Sequence, residues 1–401
     1  MNTSTLYLTE IFSTSTPACA VKPVRSSCQR VQGSVQSLTN LFGNSFGPRE
    51  NSDGCFLRGV PDPLRVLRQV RATRHRLNLP HSLCFLYIGK LTLKSVALIA
   101  LDWGTSNLRA CLLDADGQAI EHRSAPGGVM AVVGGAFEQA LLALCGDWLT
   151  QHNCALIASG MIGSRQGWKE APYLDCPADI STAARQLTPV ALKLPDGQQR
   201  ILHIAPGLRY QETSGAFDVM RGEETQIWGS RLAPDSRCLL PGTHCKWAWT
   251  GAKGEVLSFQ TWMTGELFGL HTKHGILGRL MLQGQERLED FRSGVKLGLA
   301  NQAKANHVVF AARTAGLMGQ VAPEGLPDYL SGILIGLEVA SASAGDDAAA
   351  RKRPITLIGD DGLCERYGIA LELAEMAWQR SAADSTTHGQ WLIAQAAGLT
   401  A

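Results

Sequence analysis

Val96-Ala-Leu-Ile-Ala-Leu-Asp-Trp-Gly-Thr-Ser-Asn-Leu-Arg-Ala-Cys-Leu-Leu113 is the stretch on which the reading of the chain turns. An apolar run, Val96 to Leu101, is followed by the bend Gly104-Thr-Ser-Asn107 and a second strand-like run, Leu108 to Leu113, which closes at the turn pair Asp116-Gly117. The pattern predicts two antiparallel strands around a tight bend. Gly104 is expected to supply backbone freedom, while the amides of the bend and the hydroxyls of Thr105 and Ser106 converge on an anion such as phosphate. Asp102 closes a buried strand, a poor place for a core residue and a good one for holding Mg²⁺, directly or through water, beside that phosphate. The same residues also describe an ordinary hairpin whose Asp caps its turn.

Working outward, the 401 residues suffice for two domains, and 45% hydrophobic content with 18% charge describes a globular chain. The net charge of +2 hides an asymmetry. Residues 1–95 carry 12 Lys and Arg against 4 Asp and Glu, so the remainder is net acidic, with its basic residues scattered. That excludes the clustered basic surface of a nucleic-acid binder. Eleven cysteines with no CxxC pair and no metal-ligand rhythm point to reduced thiols in a cytoplasmic setting. With no apolar run of about 18 residues, no membrane helix is expected.

Residues 1–95 are rich in Ser, Thr and Arg and poor in acids, with near-helical apolar spacing only at Leu64–Leu79. This N-terminal extension reads as an organelle transit peptide, a disordered regulatory arm, or leader sequence translated from a start codon placed too far upstream. The last is preferred, and no function is attached to the segment.

Beyond the hairpin, an extended stretch at Ala119–Ser124 leads to a glycine-rich loop, Pro126–Gly135, and a helix at Ala136–Gln151. A buried strand, Cys154–Ala158, then delivers Ser159-Gly-Met-Ile-Gly-Ser-Arg-Gln-Gly-Trp168-Lys-Glu-Ala-Pro-Tyr173. Glycine-rich loops at strand ends are where α/β proteins place ligands. Arg165 offers a fork for a carboxylate, Gln166 and Glu170 bond hydroxyls, and Trp168 and Tyr173 cover a sugar face. A surface loop with a structural Trp is the competing account.

A short helix at Ile180–Leu187 and strands at Pro189–Leu194 and Arg200–Ala205 complete a first domain, 96–213. The second, 214–401, opens on Asp218-Val-Met-Arg-Gly-Glu-Glu-Thr-Gln-Ile-Trp-Gly229, read as a helix start. Glu223 and Glu224 fall in its first turn, where the helix dipole favours acids whatever their purpose. A strand, Cys238–Leu240, then runs into Pro241-Gly-Thr-His-Cys-Lys-Trp247, a second turn able to hold phosphate at Gly242 and Thr243 with Lys246 as charge partner. A hairpin over Trp247–Trp262, a helix capped by Thr264, helices to Ala342 and an exposed loop at Ser343–Arg353 follow. Finally the strand Ile355–Ile358 ends in Gly359-Asp-Asp-Gly362 before a helix containing Tyr367.

Asp102-Trp-Gly-Thr-Ser-Asn-Leu-Arg109 resembles the first phosphate loop of the actin-like ATPase and sugar kinase superfamily. The 159–173 run resembles its 2-dehydro-3-deoxygalactonokinase family, and the similarity extends over Val96–Ala401. The resemblance implies two ribonuclease-H-like α/β domains with an interdomain cleft, and ATP with Mg²⁺ as cofactors. The implied reaction phosphorylates the terminal hydroxyl of 2-dehydro-3-deoxy-D-galactonate in galactonate catabolism. It implies Glu223 as general base with Glu224 its rival, and phosphate contacts at Gly104, Thr105, Ser106, Asn107, Gly242 and Thr243. It also implies purine approach at Gly359, and substrate contact at Arg165, Trp168 and Tyr173. Pro241, where the superfamily often carries Asp, and the Asp360-Asp361 pair depart from the pattern. A kinase for another sugar or sugar acid, and a non-catalytic nucleotide-binding protein of the same fold, remain open. So does a homodimer.

The P-loop, dinucleotide and protein-kinase signatures are all missing from the chain.

Overall fold

The strand expected from Val96 extends to Trp103 and is buried on both faces, which explains its unbroken apolar run. Leu98 and Ala100 enter one core and Ile99, Leu101 and Trp103 another. A computed structural model describes residues 95–400. The extension read at 1–95, with its Leu64–Leu79 segment, lies outside the described residues apart from Ser95. Within them the chain forms one compact unit.

In chain order the strands are β1 (Val96–Trp103), β2 (Asn107–Asp114), β3 (Ala119–Pro126), β4 (Ala155–Ser159), β5 (Tyr173–Asp175), β6 (Thr188–Lys193) and β7 (Gln199–Ile204). There follow β8 (Gly207–Gln211), β9 (Phe217–Met220), β10 (Arg237–Leu240), β11 (Cys245–Thr250), β12 (Val256–Trp262), β13 (Ile355–Leu357) and β14 (Trp378–Arg380). One sheet has the order β3-β2-β1-β4-β7-β6 and another β12-β11-β10-β13-β14. In each, three antiparallel strands are extended by parallel ones. Apart from β6, which adds an antiparallel edge to the first sheet, the two repeat one scheme, and one apolar core, containing Leu98, Ile157, Cys238, Leu240 and Phe259, is shared by both.

A small third sheet, β5-β8-β9, carries the chain from the first large sheet to the second. Position 213/214, expected as a domain boundary, falls in the turn between β8 and β9, where Glu212 N donates to Ala216 O at 2.9 Å. Strand β9 corrects the reading of Asp218 onward as helix, because its first residues pair with β8 and the helix begins only at Glu223.

Two other local expectations change. Thr264 is not a cap: Met263 holds that position, and the buried Thr264 side chain lies near Glu338 and favours its charged form. The loop at Ser343–Arg353 contains a helix, Ala348–Lys352, capped by Asp347 through the amides of Ala349 and Ala350.

Helix Leu326–Ala342 lies against helix Leu288–Ala300 at close range. A Cβ on Gly332 would stand 2.2 Å from Phe291 O, and one on Gly298 would stand 2.4 Å from Ile333 O. The last helix, Ser385–Ala396, turns back to pack on β1, β4 and helix Glu223–Gly229. Its Gln390 donates to Leu101 O at 2.6 Å and to Ser159 Oγ at 2.9 Å, satisfying buried acceptors at the ends of β1 and β4.

Candidate active site

At the C-terminal end of β1 the chain bends as expected, with Gly104 N donating to Asn107 O at 3.0 Å and Thr105 and Ser106 exposed. The need for glycine lies elsewhere. Gly104 has no left-handed backbone, and a Cβ there would touch only Asn107 O at 3.8 Å. Gly128 is the position that tolerates no side chain, since its Cβ would fall 2.2 Å from Thr105 O. The glycine-rich loop thus braces the bend from behind, with Val129 N bonded to Gly104 O at 3.0 Å.

Asp102 closes β1, and its carboxylate receives a single arginine contact, from Arg109 Nη1 at 3.3 Å. Burial lifts its pKa, Arg109 offsets part of the lift and the nearby Glu223 adds to it. Beside it stands Gly160, at φ 94°, where a Cβ would crowd Trp103 O at 2.9 Å. Gly222, at φ 105°, comes so near Gly160 that its Cβ would lie 3.0 Å from the Gly160 Cα. These two glycines let the start of helix Glu223–Gly229 approach the end of β1.

Glu223 and Glu224 part company there. Glu224 is fully buried, accepts from Gly222 N at 2.9 and 2.7 Å and from Thr225 Oγ1 at 3.1 Å, and so fastens the helix start. Glu223 is 28% exposed; its Oε2 accepts from Arg221 N at 3.0 Å and its Oε1 lies 3.2 Å from Lys246 Nζ. Lys246, expected as a partner for phosphate, is buried and committed to Glu223 and to His244 O at 2.9 Å. His244 itself bonds the Glu266 carboxylate.

Burial first, and then Glu223, pushes the Glu224 carboxyl up to about 8. Between its ordinary 4.5 and that value the folded state keeps a proton that the unfolded chain has released, so this group makes stability fall as pH rises through the window. Glu224→Gln mimics the protonated acid and removes that titration. Its Tm should gain on wild type by roughly 3–5 °C between pH 5 and pH 8 in thermal melts. Parallel pH profiles would refute the assignment.

The second turn is open around Gly242, where a Cβ would meet nothing within 4 Å. It is held by Cys245, whose Sγ contacts Gly242 O at 3.3 Å and Gly242 N at 3.5 Å, and by Glu266 N, which donates to Thr243 O at 3.0 Å. Gly359, at φ 141°, lies across from it; its Cβ would stand 3.6 Å from Pro241 O. Asp102, Glu223 and Lys246 are thus brought together, and Gly242 with Gly359.

The 159–173 loop is exposed at some of its candidate residues and packed at others. Arg165 and Glu170 are exposed and pair with each other at 3.1 Å, and Gln166 is exposed too. Trp168 is half-buried, stacked on Phe137 at 6.0 Å and edge-on to Trp103 at 6.4 Å, so its ring is used in packing. Tyr173 is covered by the guanidinium of Arg221, 4.3 Å above its ring. Arg221 is the residue that sequence reading missed. It is buried, donates to Ala171 O at 2.8 Å, and anchors the loop to the strand leading into Glu223. Its Nε and Nη1 have no hydrogen-bond partner. Its position just before Gly222-Glu223 is the only sequence signal, because the ring it covers lies 48 positions upstream.

Among the described residues all seven cysteines are free thiols, and no helix is long and apolar enough to cross a membrane.

Two sheets that share a five-strand scheme, one of them with β6 as an added antiparallel edge, each deliver a turn to the neighbourhood of one carboxylate pair, and this is the actin-like, ribonuclease-H-like α/β fold of the sugar kinases. Residues 102–393 match the 2-keto-3-deoxy-galactonokinase family. The chain is 36% identical over 275 residues to the 2-dehydro-3-deoxygalactonokinase of Escherichia coli K12, covering 68% of this chain and 89% of that protein. It is 34% identical over 279 residues to a candidate enzyme of the same name in Rhizobium meliloti strain 1021, covering 68% and 88%. A crystal structure of a candidate 2-dehydro-3-deoxygalactonokinase from Sinorhizobium meliloti superposes with TM-score 0.65 at 32% identity, covering 75% of this chain and 96% of that one. The chain belongs to the 2-keto-3-deoxy-galactonokinase family.

Proposed function

We propose that the protein is an ATP-dependent kinase that phosphorylates 2-dehydro-3-deoxy-D-galactonate on its terminal hydroxyl, giving the 6-phosphate. The observation that carries the reading is Glu223: a carboxylate at a helix start, partly exposed, set between Asp102 and Lys246, in a chain of this family. Glu223 accepts the hydroxyl's proton and orients the oxygen, Lys246 holds the carboxylate in place, and the turns at Gly104–Asn107 and Gly242–Thr243 cradle the phosphates. Gly359 admits the purine. The active cleft lies between lobes 96–213 and 214–401.

Mg²⁺ fits this site in the form that kinases use, carried on nucleotide phosphates and touched by one carboxylate. Among the described residues no cluster of three or more acidic, His or Cys ligands could cage a metal by itself, while Asp102 is a partly compensated carboxylate beside the first turn. When bound, the ion neutralises charge on the transferring phosphoryl group. Asp102 would hold it, directly or through water.

Arg165 reads the substrate carboxylate. Its exposed pairing with Glu170 is of the kind worth about 0–1 kcal/mol, so a substrate carboxylate can take Glu170's place. Trp168 and Tyr173 shape the loop from within. The free thiols among the described residues suit a reducing, cytoplasmic compartment.

The test is ADP release by the full chain with Mg·ATP across a panel of 2-keto-3-deoxy sugar acids and neutral sugars. Turnover confined to 2-dehydro-3-deoxygalactonate is expected. Turnover with another sugar would keep the kinase and remove the reading of the 159–173 loop. Nucleotide binding with no sugar-stimulated turnover would replace the kinase with a binding protein.

A further inference from the structure

We propose that Glu338, a buried carboxyl on helix Leu326–Ala342, is a positioning residue that fixes the second phosphate turn against the helix following Gly359. The proposal rests on the reading of Gly242–Thr243 as a nucleotide-phosphate turn.

Glu338 is 2% exposed and touches no candidate substrate residue, yet three elements converge on it. Its Oε1 accepts from Trp247 Nε1 of β11 at 2.8 Å and its Oε2 from Tyr367 Oη at 2.6 Å. The Thr264 side chain, at the start of helix Thr264–Lys273, lies near it and favours its charged form. Tyr367 in turn contacts Cys245 Sγ at 2.9 Å, and that sulfur grips both the amide and the carbonyl of Gly242.

The turn is clamped from its other side by the residues that follow Thr264. Thr264 precedes Gly265, whose missing side chain would lie 2.4 Å from Gly242 O, and Glu266, whose amide holds Thr243 O. The carboxyl therefore reaches the turn through Tyr367 and Cys245 and lies near the residue that opens its other edge, and through Tyr367 it holds helix Asp361–Leu373, which opens after Gly359.

Burial of an acid is costly, and an apolar residue of similar size would fill the core at lower cost. What an apolar residue could not do is accept from Trp247 and Tyr367 at once and so fix β11, helix Asp361–Leu373 and its own helix in one register. The platform that carries Glu338 is rigid as well. Gly332 and Gly336 bring its helix against helix Leu288–Ala300 so closely that a Cβ at either would fall within 2.4 Å of backbone oxygen. Displacement of Glu338 relative to the turn is thereby resisted from both sides.

The test compares the full-length wild type with Glu338→Gln and Tyr367→Phe. Kinetics give kcat and the separate KM values for ATP and the sugar acid, calorimetry gives the affinity for a non-hydrolysable ATP analogue, and thermal melts report the fold. Glu338→Gln keeps the shape and the Trp247 bond but places an amide N–H₂ against the tyrosine hydroxyl. Tyr367→Phe removes the relay to Cys245 by deleting one oxygen.

Expected is a rise of about tenfold in KM for ATP and in the analogue's dissociation constant, with KM for the sugar acid within about twofold of wild type. A core group with no positioning role would lower Tm and leave KM for ATP unchanged in the folded molecules, and that result overturns the proposal. Should Glu338→Gln fail to fold, Tyr367→Phe decides on the same criterion. Wild type that binds no nucleotide would overturn this proposal together with the kinase reading; wild type that binds it, with unaltered variants, overturns this proposal alone.

Discussion

Glu223→Gln should lower kcat by about 10²–10⁴-fold while leaving KM for ATP and for the sugar acid within about threefold of wild type. The amide keeps the size of the side chain and can still accept from Arg221 N, so the helix start should stay in place and Tm should shift little. What it loses is the proton acceptor and the charge facing Lys246. Phosphoryl transfer depends heavily on positioning, so a variant that keeps position and removes basicity isolates the role of the base. Steady-state kinetics beside the melts check it. The control is Glu224→Gln, which removes a carboxyl with no exposure at all and should retain far more activity. If the two variants exchange behaviour, the base is Glu224 and the site is misread.

Asp102→Asn should abolish turnover to a similar degree with a different signature. Burial lifts this carboxyl and only Arg109 compensates it, at 3.3 Å, so the fold bears a partly unrelieved charge. Replacing it with a neutral isostere should hold Tm level or raise it. A site that costs stability and is needed for turnover is the usual signature of function. The kinetic loss should come with a higher Mg²⁺ requirement, read from kcat against free Mg²⁺ at saturating ATP. A variant that melts early and keeps its Mg²⁺ dependence would return Asp102 to the role of turn cap.

How much of this could be read beforehand follows from the range of the forces involved. Val96–Leu113 was legible because both faces of β1 are buried and the bend is local. The strand before Glu223 was not, since Phe217–Met220 is held by pairing with Leu208–Gln211 and its own four residues carry little periodic signal. Thr264 looks like a cap because its sequence neighbours fit one, and the carboxyl near which its side chain is buried lies 74 positions away. Sequence places Trp168 in a ligand loop without revealing that Phe137 stacks on it and Trp103 meets it edge-on. Glu223 and Glu224, adjacent and chemically alike, were separable only by burial. Arg221 and Glu338 escaped for one reason: each is defined by partners distant in the chain.

The helix Ser385–Ala396 has a consequence for how the molecule is made. Gln390 supplies the hydrogen bonds that β1 and β4 need at the ends which deliver Asp102 and the 159–173 loop. Gly389 seats the same helix on the segment carrying Glu223, where a Cβ would come within 1.9 Å of Thr225 O. During synthesis the first sheet emerges from the ribosome long before these residues do, and domains ordinarily fold in order of emergence. Here the site in the first half of the chain cannot be completed until Ser385–Ala396 has been made. A nascent chain stalled before Ser385 would hold its strands but lack a finished site, so premature activity during translation is closed off by the topology itself.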